Sequence, residues 1–248
     1  LVAETGDIAG SLRVAKTASF SGYNLINYLH PVIALPGVPG GPEPALVLAI
    51  ARQESEFDPG VVSGAGARGL MQVIPASAKR AADALGLRYR PSDLTGDPNY
   101  NIRLGMQVLS EYLDRWDGSY ILAIATYNAG PGNVQRWIDT YGDPRTPGVD
   151  PVDWIESVPY PETRNYVQRV LENVEVYRDR LAGRDEPLQI LADIYRPDAP
   201  QSIPLRYTPP AQQLVAASPA GIPTPLARPA TTADPPVPDA IPKPKPAP

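Results

Sequence analysis

Two glutamates, Glu54 and Glu56, close an apolar segment in the stretch IARQESEF, Ile50 to Phe57. A pair of carboxyl groups is the usual equipment for cleaving a glycosidic bond, one acting as general acid and the other as nucleophile or base. A helix advances about 100° per residue, so side chains two positions apart project about 200° from each other and cannot line one pocket while the helix lasts. Glu54 continues the line of Val47, Ile50 and Ala51, whereas Glu56 falls at the fraying end beside Asp58 and Pro59. A carboxyl among apolar neighbours has its pKa raised, because desolvation disfavours the anion, and it is then poised to donate a proton near neutral pH. Position alone also fits a plainer reading, a glutamate that reaches solvent from a helix end. Other segments of the chain decide between the two.

Residue counts narrow the chemistry. With one histidine and no cysteine among 248 residues, a structural zinc site, a cysteine nucleophile and a Cys/His relay are all excluded. His30 alone could serve a serine triad, but no G-x-S-x-G elbow accompanies it, so it reads as a structural histidine. Carboxylates, hydroxyls and amides remain, and neither a metal nor a cofactor is expected. The net charge of -5, with no Lys/Arg run beyond the terminal KPKP, argues against nucleic acid as the main partner.

The elements that must position Glu54 read as helices. Residues 10–29 have a spacing compatible with a helix that turns at His30-Pro31, and the linker LPGVPGGPEP follows. Pro44 then sits at the first turn of a helix through ALVLAIARQES, apolar on every side from Ala45 to Ala51 and hence expected to be buried. After the loop FDPGVVSGAGARG come a helix from Pro75 ended by Gly86 and an amphipathic helix in DPNYNIRLGMQVLSEYLDRW. The apolar SYILAIATYNAG and a short helix in GNVQRWIDTYG precede a last helix in PETRNYVQRVLENVEVYRDRLAG, stopped by Gly183. No stretch alternates with period two, so the body is expected to be mainly α. Sixteen of the 32 prolines lie between Pro197 and Pro248, against roughly 5% usage in an average chain, so this stretch is expected to be a disordered, Pro-rich C-terminal tail. No window approaches the roughly 18 apolar residues of a membrane helix, because VIALPGVPGGP is short and broken by proline and glycine.

Three further segments carry polar groups that could join Glu54: SGAGARGLMQ (Ser63 to Gln72), TYNAGPGNV (Thr126 to Val134) and VPYPETRNYV (Val158 to Val167). Singly they read as a loop, a turn between helices and a helical first turn. Together, in this order after an ES dipeptide, they resemble the soluble lytic transglycosylase family, whose catalytic domain has a lysozyme-like fold related to goose-type lysozyme. The resemblance covers roughly Glu43 to Leu181. It implies that Glu54 is the family's single catalytic acid, that Gln72 flanks the groove, and that Ser63 contacts a sugar N-acetyl or peptide group. It also implies that Tyr127 and Asn128 lie by the acid, with the Tyr127 hydroxyl suited to hold the acetamido group or Glu54, and that Glu162 lies on the substrate side. Ile74 stands where many members carry Met, and Thr126 where Ala is common.

The resemblance further implies the substrate, peptidoglycan glycan strands, and a substrate-assisted route. Glu54 protonates the β-1,4 oxygen between N-acetylmuramic acid and N-acetylglucosamine, and the muramic acetamido group and C6 hydroxyl complete a 1,6-anhydro ring. It also implies action in the periplasm or cell envelope. A lysozyme-type hydrolase and a non-catalytic wall-binding module are the competing readings. The expected organisation is a helical connector at 1–42, a remnant of a larger N-terminal helical region, a catalytic domain at 43–183, and a short helix followed by the tail at 184–248. The tail is expected to make protein or wall contacts.

Overall fold

The computed structural model describes residues 6–38 and 40–195. Eleven helices follow one another in these residues. They are α1 (Ile8–Ser19), α2 (Ile26–Leu29), α3 (Pro44–Ser55), α4 (Pro75–Ala84), α5 (Asp93–Gly96), α6 (Pro98–Arg115), α7 (Tyr120–Ala129), α8 (Pro131–Tyr141), α9 (Pro151–Ser157), α10 (Pro161–Ala182) and α11 (Ile190–Ile194). Proline opens α3, α4, α6, α8, α9 and α10. At that position its missing N–H forfeits no intrahelical bond and its fixed φ suits the helix. Much of the proline outside the C-terminal stretch is therefore helix punctuation. The segment from Pro197 onward, expected to be a disordered tail, lies outside the described residues.

The mainly helical expectation holds. Among the described residues there is no strand, and extended pairing is confined to the bridges Val62–Arg68 and Arg68–Val73 in the loop after α3. The helix expected over residues 10–29 is two: Gly22 takes a left-handed φ of 84° and separates α1 from α2, leaving Phe20 and Tyr23 exposed. The short helices α5 and α9 carry too few residues for a periodic pattern to be read.

Every residue of α3 from Ala45 to Ala51 is 1% exposed or less, as an all-round apolar helix requires. The long helix α10 packs against it and against α7, while α6 pairs with α7 and is covered by α4 and α5. The stripe of α10 that meets α3 is the one its spacing predicts, Tyr166, Val167, Val170, Leu171, Val174 and Tyr177, all buried. Glu43, at the start of α3, bonds Arg178 late in α10, whereas Glu54, at the end of α3, bonds Tyr166 early in α10. The two helices therefore run antiparallel, and the C-terminal end of α3 lies beside the N-terminal end of α10.

Candidate active site

The backbone leaves α3 directly after the acid. Glu56 caps the helix in the left-handed region, with φ 52° and ψ 35°, and Phe57 follows at φ 63° with its ring buried. The separation of Glu54 from Glu56 expected from helical phase is thus produced by a reversal of the chain. The carboxylate of Glu56 turns outward and pairs with Lys16 of α1. Glu54 stays with the core. Its Oε1 accepts a 2.6 Å hydrogen bond from the hydroxyl of Tyr166, itself only 4% exposed. Burial raises the Glu54 pKa from 4.5 to about 7; the Tyr166 hydrogen bond pulls it down and the charge of Glu162 pushes it up. Among the described residues no cation makes an ion pair with Glu54, so the proton is what neutralises it.

The loop from Val61 to Val73 is pinned in place. Ser55 Oγ donates to the Leu70 carbonyl at 2.8 Å, tying the loop to the end of α3. The wholly buried amide of Asn101, on α6, accepts from Met71 N at 2.8 Å and donates to the carbonyls of Arg68 at 2.8 Å and Leu94 at 2.9 Å. Two glycines permit this approach: a Cβ on Gly69, at φ 74°, would lie 2.0 Å from the Leu94 oxygen, and one on Gly105 would lie 2.4 Å from Met71 Sδ. Gln72 adopts φ 46°, and its side-chain nitrogen donates to Val61 O at 3.0 Å and Gly69 O at 2.9 Å. Its amide therefore shapes the loop and leaves the side-chain oxygen as the group it can offer a ligand. Ser63, half-buried at the loop's turn, accepts from Ala67 N at 3.1 Å.

The structure gives the remaining expected residues distinct places. Tyr127, in the last turn of α7, donates to the Met71 carbonyl at 2.8 Å, so its hydroxyl supports the loop, while the hydroxyl on the acid belongs to Tyr166. Burial and the nearby Glu54 charge hold the Tyr127 hydroxyl protonated. Asn128 accepts from Thr163 Oγ1 at 2.7 Å, which joins the end of α7 to the first turn of α10. Glu162, in that same turn, is exposed, makes no ion pair among the described residues, and acts on Glu54 through its charge. Tyr166 and Asn101 are the two residues at the site that the sequence reading passes over. Their signal is a polar head on a stripe that otherwise buries apolar side chains, because a buried hydroxyl or amide must find a partner.

His30 lies outside the site. Its Nε2 meets Asn173 Oδ1 at 3.0 Å, its ring sits edge-on to Tyr177 at 5.6 Å, and burial, helped by Arg52 and Arg180, lowers its pKa to about 4. It is a neutral structural histidine whose buried Nδ1 has no hydrogen-bond partner among the described residues. Among the described residues no three His, Asp or Glu side chains converge in a way that could hold a metal ion.

Residues 39–146 match the family model described as Transglycosylase SLT domain, and residues 157–185, which contain all of α10, match the one described as Soluble lytic transglycosylase helical domain. The second match thus falls after the first, and not in the stretch before Glu43. A soluble lytic murein transglycosylase of Salmonella typhimurium is 37% identical over 142 residues, which are 57% of this chain and 21% of that protein. Among solved structures, the 70 kDa soluble lytic transglycosylase of Escherichia coli superposes with a TM-score of 0.61 at 26% identity, over 74% of this chain and 30% of that one. A lytic transglycosylase of Pseudomonas aeruginosa, solved as an inactive glutamate-to-glutamine mutant, gives 0.58 at 29% identity, over 73% and 31%. The chain spans well under half the length of these relatives. Residues 39–146 thus match an SLT transglycosylase domain, and the chain is similar over that stretch to soluble lytic transglycosylases.

Proposed function

We propose that this chain carries the catalytic part of a peptidoglycan lytic transglycosylase, with Glu54 as its single catalytic acid. The carboxylic proton of Glu54 passes to the glycosidic oxygen as the bond from that oxygen to C1 of N-acetylmuramic acid breaks. The carbonyl oxygen of the same sugar's 2-acetamido group takes up the deficient C1. The C6 hydroxyl then displaces it, giving its proton back to Glu54 and leaving a 1,6-anhydro ring; no water is consumed. The observation that carries this reading is the state of Glu54: a half-buried carboxyl with a pKa of about 7, faced by a neutral hydroxyl and a second acid rather than by a cation.

A hydrolase of the same bond needs a group to hold water, commonly a second carboxylate. The alternatives are occupied: Asp58 accepts from Gly60 N and lies 3.6 Å from Arg13, and Asp97 caps α6 through Tyr100 N. Glu162 is the carboxylate whose charge reaches Glu54, and its ionised state serves to keep the acid protonated. Ser63, the Gln72 oxygen and Asn128 supply neutral hydrogen bonds to sugar and peptide, and Tyr127 holds the loop that presents them. Digestion of purified peptidoglycan distinguishes the readings. Muropeptides one water lighter than hydrolytic products support the transglycosylase, normal reducing ends convert it to a hydrolase, and no release at all marks a binding module.

The substrate places the activity in the cell envelope, and among the described residues no helix is long and apolar enough to cross a membrane. Residues 43–183 form the catalytic body in this reading, residues 1–42 connect it to a larger helical region, and the Pro-rich stretch contacts wall or protein partners.

A further inference from the structure

One exposed aromatic side chain stands on the wall that carries the acid's partners. Tyr160 is 47% exposed, yet the backbone that bears it is fixed on both sides. Its carbonyl accepts from Arg164 N at 3.0 Å as the cap of α10, and Arg164 Nη1 donates to the carbonyl of the fully buried Val158 at 2.6 Å. Its ring meets Trp137 of α8 edge to face, with centroids 5.4 Å apart and planes at 89°, and Trp137 in turn lies against Trp154 at 6.4 Å. Trp137 and Trp154 are 5% and 2% exposed, so Tyr160 is the solvent-facing end of an otherwise buried aromatic row. The same wall holds Glu162, two residues on, and the Thr163–Asn128 bond that joins α7 to α10. Tyr160 is the N-cap residue of α10, so it stands at the end of the helix whose first turn carries Glu162 and Thr163.

A rigid aromatic face in water beside a polar groove suits the apolar C–H face of a pyranose. Little conformational entropy is lost when such a ring is covered, and its polar tip remains wet. We infer that Tyr160 is a stacking platform for a sugar outside the bond that Glu54 cleaves, and that it sets a preference for longer glycan strands. The inference rests on the glycan reading of the site, and its test is a binding measurement that does not require turnover.

In the Glu54→Gln background, Tyr160→Leu and Tyr160→Phe are compared with unchanged Tyr160 for binding disaccharide and octasaccharide fragments of alternating N-acetylglucosamine and N-acetylmuramic acid. Quenching of the adjacent Trp137 and calorimetry both serve as readouts. The expected result is about a tenfold loss of octasaccharide affinity for Tyr160→Leu, under about twofold for the disaccharide, and recovery by Tyr160→Phe. Equal losses for both lengths mean that Tyr160 only packs on Trp137, and no loss for the octasaccharide means that it does not touch the glycan; either overturns the inference. Failure of the unchanged Tyr160 protein to bind any glycan overturns the proposed function instead.

Discussion

The helix pair α3 and α10 presents a glutamate at each end, and the two ends treat it in opposite ways. At one end, Glu43 accepts from Arg178 Nε at 2.7 Å and Nη2 at 2.9 Å and from the Tyr120 hydroxyl at 2.8 Å. Arg178 also reaches Asp193 of α11 at 2.6 Å and Glu175 at 3.0 Å. Burial alone would lower the Arg178 pKa, but hydrogen bonds to Glu43 and Asp193 outweigh it and keep the guanidinium charged. At the other end, α10 offers Glu54 the neutral hydroxyl of Tyr166 and, one turn earlier, the like charge of Glu162. A buried carboxylate with a paired cation stays ionised and serves structure; one without a cation takes a proton and serves chemistry. The choice between arginine and tyrosine on the facing helix thus separates a clamp from an acid.

The comparison breaks most severely at the acid. Glu54→Gln should lower turnover by about 10²–10⁴-fold while leaving the fold intact, as steady-state rates and circular dichroism will register. The same change should stabilise the protein at alkaline pH. Because the folded pKa of Glu54, about 7, lies above its ordinary 4.5, its contribution is fully present below pH 4.5 and is lost as pH rises to 7. Above pH 7 the glutamine variant should therefore unfold at higher free energy by up to about 3 kcal/mol in urea titrations, and the gain should vanish below pH 4.5.

Removing the clamp acts on stability instead. Arg178→Ala removes the guanidinium that Glu43 and Asp193 share and should cost about 3–5 kcal/mol in chemical denaturation, with turnover per folded molecule unchanged. A drop in turnover of the folded fraction would mean that the two ends are coupled.

Smaller changes tune the acid in opposite directions. Glu54 must be protonated to act, so activity should decline as pH rises through about 7. Tyr166→Phe removes a bond that lowers the Glu54 pKa, so the alkaline limb should move up, whereas Glu162→Gln removes a charge that raises it, so the limb should move down. Limbs that move together would contradict this electrostatic account. The smallest effect belongs to Glu56→Gln, whose exposed pair with Lys16 should be worth less than about 1 kcal/mol and leave the rate unchanged.

Pro44 and the unbroken apolar run after it make α3 readable from the sequence, and the phase of Glu54 on that helix marks it as the unusual carboxyl. Phase does not reveal that Glu56 and Phe57 both turn left-handed, since neither is glycine and the strain of that turn is held by tertiary contacts such as the buried Phe57 ring. Tyr166 reads as one more member of an apolar stripe until a partner for its hydroxyl is sought. Asn101 likewise organises the loop from α6, some thirty residues away in sequence, through bonds that no local pattern contains. The clamp is unreadable for the same reason: Arg178 meets Glu43 at the start of α3 and Asp193 on α11 through bonds that no local pattern contains.

The most direct test of the central claim is a ¹³C-carboxyl NMR titration of the wild-type chain against Glu54→Gln. The account predicts one side-chain carboxyl resonance titrating near pH 7 that is missing from the variant. A Glu54 resonance titrating in the ordinary range near 4.5 would contradict it, because the group would then be ionised when the reaction needs its proton.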